Sequence, residues 1–404
     1  MPQGAYWTPV DDALTHLRDN LRAVTQTEAI PLAQAAGRYL AGPAVALRSH
    51  PPHANSAVDG YGFAGPLPDG PQTLPLVDGR AAAGQPFQGT IPKGHAIRIL
   101  TGAHLPKGVD TIVLQEDVTT SDSHVALNGP LKKGANARQA GEDMIAGQDV
   151  LRRGRYLTPA DLATLAAVGV GTVNGRRKLR VGVLSTGDEL AEPGAAVTAA
   201  QIYDANRPML LATISGWGYD AIDLGRAPDE RAKLSQMLTD ATKLADVIIT
   251  SGGASAGEED HMSALLKDTG TLALWRIAVK PGRPLALGLW QGKPVIGLPG
   301  NPVAAQVCTL IFARPALRQL AGGNWPTPQG FMVPAGFTKS KKAGRREYLR
   351  ARITDGQVML FPSEGSGRVS GLSWATGLVE LPDDAMNVAI GDPVKFLPYG
   401  SFDL

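Results

Sequence analysis

Between residues 178 and 326, apolar runs of strand length alternate with segments of helical period, and this constrains the chain more than any other feature. "KLRVGVLST" reads as a buried strand and "NRPMLLATISGW" as a helix closed by glycines. "DERAKLSQMLTDATKLA" reads as an amphipathic helix with Leu234, Met237, Leu238, Ala241 and Leu244 on one face. "DVIITS" and "PVIGL" are further strands, and "VAAQVCTLIFARPAL" is a further helix. Strands joined by helices of this length predict a parallel, doubly wound sheet.

The flanks follow another pattern. Residues 46–146 carry short β-rich runs between Gly and Pro signals, and residues 327–404 repeat the theme. In the latter, Asp355-Gly356 suits a type I′ hairpin turn. "LTPADLATLAAVGVG" opens with a capping box, Thr158 to Asp161 with Pro159 at the first helical position, and stops at Gly169. The fold class expected is therefore α/β plus β: a doubly wound α/β domain at 178–326, β-rich domains at 46–146 and 327–404, and a helical linking domain from 7–45 and 147–177. Glycine at 48 and proline at 31 residues fit a loop-rich enzyme better than a bundle.

A net charge of +2 gives no global reason to expect nucleic acid or an anionic membrane, and the basic runs "RRKLR" and "KSKKAGRR" read as solvated faces. Cys308 is the single cysteine, which excludes disulfides and thiolate clusters and predicts a buried, inert thiol. No run of about 18 apolar residues occurs, and the N-terminus has no secretory pattern, so the expected location is the cytosol.

Three loops follow predicted strands directly: "STGDEL" (185–190), "SGGASAGEED" (251–260) and "GLPGNPVAA" (297–305). In an open parallel sheet such loops meet at the carboxyl edge, where ligands bind. Gly187, Gly252, Gly253, Gly257 and Gly300 let backbone N–H groups approach an anion, while Asp188, Glu189, Glu258, Glu259 and Asp260 offer hard oxygen ligands for Mg²⁺. In "RIAVKPGRPLALG", Arg276, Lys280 and Arg283 suit either an oxyanion or a solvated surface. "HANSAVDGYGF" places Asp59 on a Gly-flanked loop, and "LTGAHLPKGVDTIVLQED" and "AGEDM" offer Thr101, Glu142 and Asp143. Locally, these stretches leave a turn and a site equally open.

Taken in order, "NSAVDGYGF", "LTGAHLPKGVDTIVLQED", "GED", "RVGVLSTGDEL", "QIYDANRPML", "SGGASAGEED", "VKPGRPL" and "GLPGNPVAA" resemble the MoeA family of molybdopterin molybdenumtransferases, whose eukaryotic relative is the E domain of gephyrin. The central portion alone also resembles the MogA/MoaB adenylyltransferase domain and the CinA family, which lack the flanking motifs. The resemblance implies molybdenum cofactor biosynthesis: molybdate enters the dithiolene of adenylylated molybdopterin, the adenylate is hydrolysed with Mg²⁺, and AMP leaves. It implies a catalytic set of Asp59, Thr101, Asp143, Glu189, Asp229, Asp260 and Lys280, of which Glu189, Asp229 and Asp260 hold Mg²⁺. It assigns cofactor binding to Gly252, Gly253, Ser255, Gly257, Arg276, Arg283, Pro299, Gly300, Asn301 and Ser370.

It further implies a homodimer with the site between subunits, and a molybdopterin adenylyltransferase and acceptor molybdoenzymes as possible partners. Departures from the family pattern are Arg276 in place of Lys, Ala254 and Ala256 in place of valines, Val58 for Met, Gly62 for Ala, and Ser370 alone of a serine pair. Arginine at 276 keeps the charge but cannot donate a proton at neutral pH. These departures also allow a catalytically weak scaffold paralogue, and the central module allows an adenylyltransferase.

Overall fold

A computed structural model describes residues 7–252, 261–268, 273–282, 284–365 and 367–404. The chain forms two compact units: one comprises Ala29–Ala36 and Gly42–Gly175, the other the residues up to Glu28, Gly37–Ala41 and Arg176–Leu404.

In the first unit, six strands form one sheet: β1 (Gly60–Phe63), β2 (Leu67–Ala81), β3 (Ala96–Ile99), β4 (Thr111–Leu114), β5 (Val118–Thr120) and β6 (His124–Leu131), in the order β4-β1-β3-β2-β6-β5. Phe63, Leu74, Val113, Val125 and Leu127 bury one face. Gly60 lets β1 press onto β4, since a Cβ there would lie 1.8 Å from the Val113 carbonyl oxygen. That contact fixes the start of β1, immediately after Asp59. The helix α1 (Pro159–Ala167) has the expected capping box, with the Thr158 hydroxyl accepting from Asp161 N–H and the Asp161 carboxylate accepting from Thr158 N–H. Gly169 follows it at φ 83°.

The second unit holds two large sheets. The α/β sheet comprises β7 (Arg180–Thr186), β8 (Asp220–Ala227), β9 (Val247–Ser251), β10 (Ala273–Arg276), β12 (Pro284–Trp290) and β13 (Lys293–Leu298), in the order β8-β7-β9-β13-β12-β10. The strands β8, β7, β9 and β13 run parallel, as the strand and helix alternation predicts. The last two do not: β12 is antiparallel to β13 and β10 to β12. The cause is legible in the connection, because only Gln291 and Gly292, both at positive φ, separate β12 from β13, too few residues for a parallel crossover.

The helices α2 (Asn206–Gly216), α3 (Arg231–Leu244) and α4 (His261–Asp268) accompany this sheet. Leu234, Leu238 and Ala241 of α3 join Leu184, Ile248, Met262 and Val295 in a common core. Leu244, expected on that apolar face, is 52% exposed because the helix ends there and the chain turns away at Ala245. The expected single helix over 303–317 is three pieces: α5 (Pro302–Cys308), a π-helical turn Thr309–Ala313 and α6 (Arg314–Leu320). Pro315 has no N–H for an α-type bond to Ile311, and the wider turn accommodates its ring. Cys308 is buried and its thiol pushed up to about 12 by desolvation, so it is inert as expected.

The second sheet has the order β11-β15-β17-β18-β14, from β11 (Val279–Lys280), β14 (Phe331–Pro334), β15 (Arg346–Thr354), β17 (Gly377–Leu381) and β18 (Pro393–Pro398), with β16 (Gln357–Leu360) paired to β15. Asp355 and Gly356 both have positive φ, at 51° and 75°, as a type I′ hairpin turn requires.

The two basic runs are not solvated faces. Arg177 and Arg180 both pair with Asp246, which is 1% exposed, while Lys339 and Arg346 are engaged by Glu347, Glu364, Asp11 and Asp383. Lys341 is 3% exposed and donates to the backbone carbonyls of Lys342 and Asp384. Carboxylates distant in sequence reach these cations, which a run of basic letters cannot reveal. Among the described residues, no helix is long and apolar enough to cross a membrane.

Candidate functional site

The carboxyl edge of the α/β sheet opens into a cleft of ≈ 260 Å³, with Glu189, Asp229, Asn206, Gly252, His261 and Gly300 in its lining. The "STGDEL" loop that delivers Glu189 is shaped by three interactions. Gly187 adopts φ 137°, and a Cβ there would lie 2.3 Å from the Glu189 carboxylate. Arg226 on β8 donates to the carbonyls of Gly187, Asp188 and Leu190. Asp188 and Asp229 latch their loops reciprocally, each carboxylate accepting from the other's N–H at 3.3 and 3.1 Å. The loops after β7 and β8 are thus held as one piece.

The next strand end is equally constrained. Gly252 lies at φ 93°, where a Cβ would fall 2.7 Å from the Thr186 hydroxyl oxygen and 2.9 Å from its carbonyl oxygen. Asn206, at the start of α2, donates to Ser251 Oγ at 2.6 Å and to the Gly300 carbonyl at 2.7 Å. This side chain ties two strand ends to a helix start and is buried. It stood within "QIYDANRPML" but had no predicted role, because its partners lie 45 and 94 residues away. No Lys or Arg is among the described residues lining the cleft, so the carboxylates of Glu189 and Asp229 dominate its charge.

Asn301, expected at the site, caps α5 by accepting from the N–H groups of Val303 and Ala304. Pro299 is buried just beyond β13 and Gly300 is exposed. Gly253, Ser255, Gly257, Asp260 and Arg283 lie outside the described residues, as do Ala254, Ala256, Glu258 and Glu259. Among the described residues, no group of three or more acidic, His or Cys side chains is arranged to hold a metal.

Two basic positions have different surroundings. The Lys280 ammonium lies 2.7 Å from Glu364 and 3.4 Å from Glu347, on the second sheet and outside the cleft lining. Arg276 is exposed at the end of β10. Ser370 is exposed at the start of the short helix Ser370–Trp374.

In the other unit, Asp59 and Thr101 meet. Asp59 Oδ1 accepts from both the N–H and the hydroxyl of Thr101, each at 2.7 Å. Those hydrogen bonds hold the Asp59 carboxyl below its ordinary range, so it is ionised at neutral pH. Asp143 is exposed, and its N–H donates to the His50 carbonyl at 3.2 Å.

Comparison with known proteins covers the chain nearly end to end. Residues 8–169 match the MoeA N-terminal region (domain I and II), residues 182–319 a probable molybdopterin binding domain, and residues 333–399 the MoeA C-terminal region (domain IV). The chain is 37% identical to a molybdopterin molybdenumtransferase of Haemophilus influenzae, over 96% of this chain and 98% of that one. It is 35% identical to molybdopterin molybdenumtransferase 2 of Mycobacterium tuberculosis, over 91% and 93%. The crystal structure of a molybdopterin biosynthesis moeA protein from Pyrococcus horikoshii superposes with a TM-score of 0.84 at 27% identity, covering 98% of this chain and 100% of that one. With both the flanking regions and the central domain matched, the chain belongs to the MoeA family of molybdopterin molybdenumtransferases.

Proposed function

We propose that this enzyme of molybdenum cofactor biosynthesis inserts molybdate into adenylylated molybdopterin and releases AMP. The observation that carries this reading is the pairing of Glu189 and Asp229 in one cleft whose described lining offers them no cation. Uncompensated carboxylates at strand ends suit a ligand that brings its own positive charge.

The donor set fits Mg²⁺, since both side chains provide hard oxygens. Glu189 and Asp229 would hold the ion together with Asp260. Bound there, Mg²⁺ would neutralise phosphate charge on the adenylate as a Lewis acid. Around it, the N–H groups of the loop after β9 would receive the pyrophosphate, with Gly252 keeping the backbone within reach. Asp59, held ionised by Thr101, acts as a fixed acceptor that orients water or a substrate hydroxyl and carries no proton at neutral pH. Lys280 and Arg276 supply positive charge to the molybdate oxyanion, Arg276 without proton transfer. The working form is a homodimer in which Asp59 of one subunit and Asp229 of the other serve one site.

Purified protein given adenylylated molybdopterin, molybdate and Mg²⁺ should release AMP, and Asp59→Ala and Asp229→Ala should each abolish most of that release. Mixing the two inactive variants under conditions of subunit exchange should restore about a quarter of the activity, because half of the dimers are hybrids and each hybrid has one intact site. No AMP from the wild type would refute the reaction. No recovery on mixing would refute the shared site.

A further inference from the structure

We infer that Glu364 is an internal counter-ion that occupies an oxyanion position beside Lys280 and Lys339, and that a tetrahedral dianion must displace it to bind. The inference rests on the reading of Lys280 as an oxyanion-binding cation.

Four side chains form the cluster. Lys280 contacts Glu364 at 2.7 Å and Glu347 at 3.4 Å, and Lys339 contacts the same two carboxylates at 2.5 and 3.1 Å. The carboxylates differ in how they are held. Glu347 lies within β15, paired on one side with Lys280 of β11 and on the other with Leu381 of β17, and its side chain is 9% exposed. Glu364 comes from the connection between β16 and the helix Ser370–Trp374, outside any strand, and its side chain is 43% exposed. Glu347 is fixed by the sheet, whereas the Glu364 side chain stands on a loop and is partly open to solvent.

Charge and volume agree with such an exchange. Arg350, 5% exposed, lines the same pocket as Lys280 and Glu364. Its guanidinium donates to the carbonyls of Ser363, Gly365 and Arg368 and has no carboxylate partner among the described residues. Arg350 thus brings to the same pocket a positive charge with no carboxylate partner among the described residues. The second charge of a dianion in place of Glu364 would offset it, which low-dielectric surroundings favour. With Glu364 in place the pocket measures ≈ 20 Å³, room for about one water and none for an oxyanion. Burial opposes ionisation of Glu364, but hydrogen bonds from Lys280 and Lys339 outweigh it, so the carboxyl is a bound anion at neutral pH.

The test is molybdate binding by the full-length protein, measured by calorimetry for the wild type, Glu364→Gln, Glu364→Ala and Lys280→Ala, with thermal melts to confirm folding. Both Glu364 variants should bind molybdate about three- to tenfold more tightly than the wild type, and Lys280→Ala more weakly. Binding gained by removing a side chain is a result that a merely structural Glu364 would not produce. Should Lys280→Ala lose binding while the Glu364 variants bind no better than the wild type, the counter-ion role falls and Lys280 keeps its own. Should Lys280→Ala bind as the wild type does, the Lys280 reading falls and this inference with it.

Discussion

The two edges of the α/β sheet treat carboxylates in opposite ways. At the amino edge, Asp246 sits just before β9, almost fully buried, and receives Arg177 at 2.6 and 2.8 Å, the Arg180 side chain at 3.0 Å and the Arg180 N–H at 3.0 Å. At the carboxyl edge, Glu189 and Asp229 are exposed in a cleft with no lining cation among the described residues. A buried carboxylate comes already neutralised, because burying it otherwise costs several kcal/mol. Carboxylates left open are available to a ligand. The acidic letters look alike in the sequence, so partners alone distinguish the roles.

The largest expected effect tests the amino edge. Asp246→Asn should lower stability by about 3 kcal/mol in denaturant unfolding, since two guanidinium groups lose their shared counter-ion, a value discounted for the partial exposure of both arginines. AMP release per folded molecule should be unchanged. The pH dependence follows from the same pair: burial opposes ionisation, but hydrogen bonds from Arg177 and Arg180 hold the Asp246 carboxyl far below its ordinary value. A depressed folded value means that the stabilisation is complete above the unfolded value near 3.9 and is lost as pH falls below about 4. The wild type should therefore lose stability over that acid range more steeply than Asp246→Asn.

A smaller effect, of the opposite kind, is expected at the other edge. Glu189→Gln and Asp229→Asn should each slow AMP release about 100-fold, or about 2.7 kcal/mol, with stability within about 0.5 kcal/mol of the wild type. If either substitution destabilised the protein as much as Asp246→Asn does, the contrast between the edges would collapse. The smallest effect belongs to the backbone of the cleft: Gly252→Ala should cost about 1–2 kcal/mol of stability, from its left-handed conformation and its contact with Thr186. Wild-type stability in that variant would show that the turn is less constrained than its geometry implies.

Much of the architecture was legible because it follows from local periodicity and turn chemistry. The capping box at Thr158, the Asp355-Gly356 turn and the parallel strands β7, β9 and β13 each depend on residues within a few positions of one another. The antiparallel edge does not follow from strand spacing but from the length of the β12–β13 connection, two residues and too short for a crossover. The π-helical turn has no signature in the apolar period; it lies just before Pro315, near the start of α6, and accommodates that residue's ring.

The cleft was only partly legible. The strand-end rule brings Glu189, Gly252 and Gly300 to one edge, the family resemblance adds Asp229, and all four lie in the cleft lining. Asn206 and Arg226, which hold the loops together, act across 36 to 94 residues and leave no local signal. The same is true of Glu364, which meets Lys280 across 84 residues.

The sequence by itself determined which segments become strands, helices and turns, and which loops leave the sheet at one edge, since these depend on nearest neighbours and on the two periods of the backbone. Only the tertiary structure decided which charges are neutralised within the fold and which stay open. That difference depends on what each side chain meets after the chain has closed on itself, and on how little water remains around it.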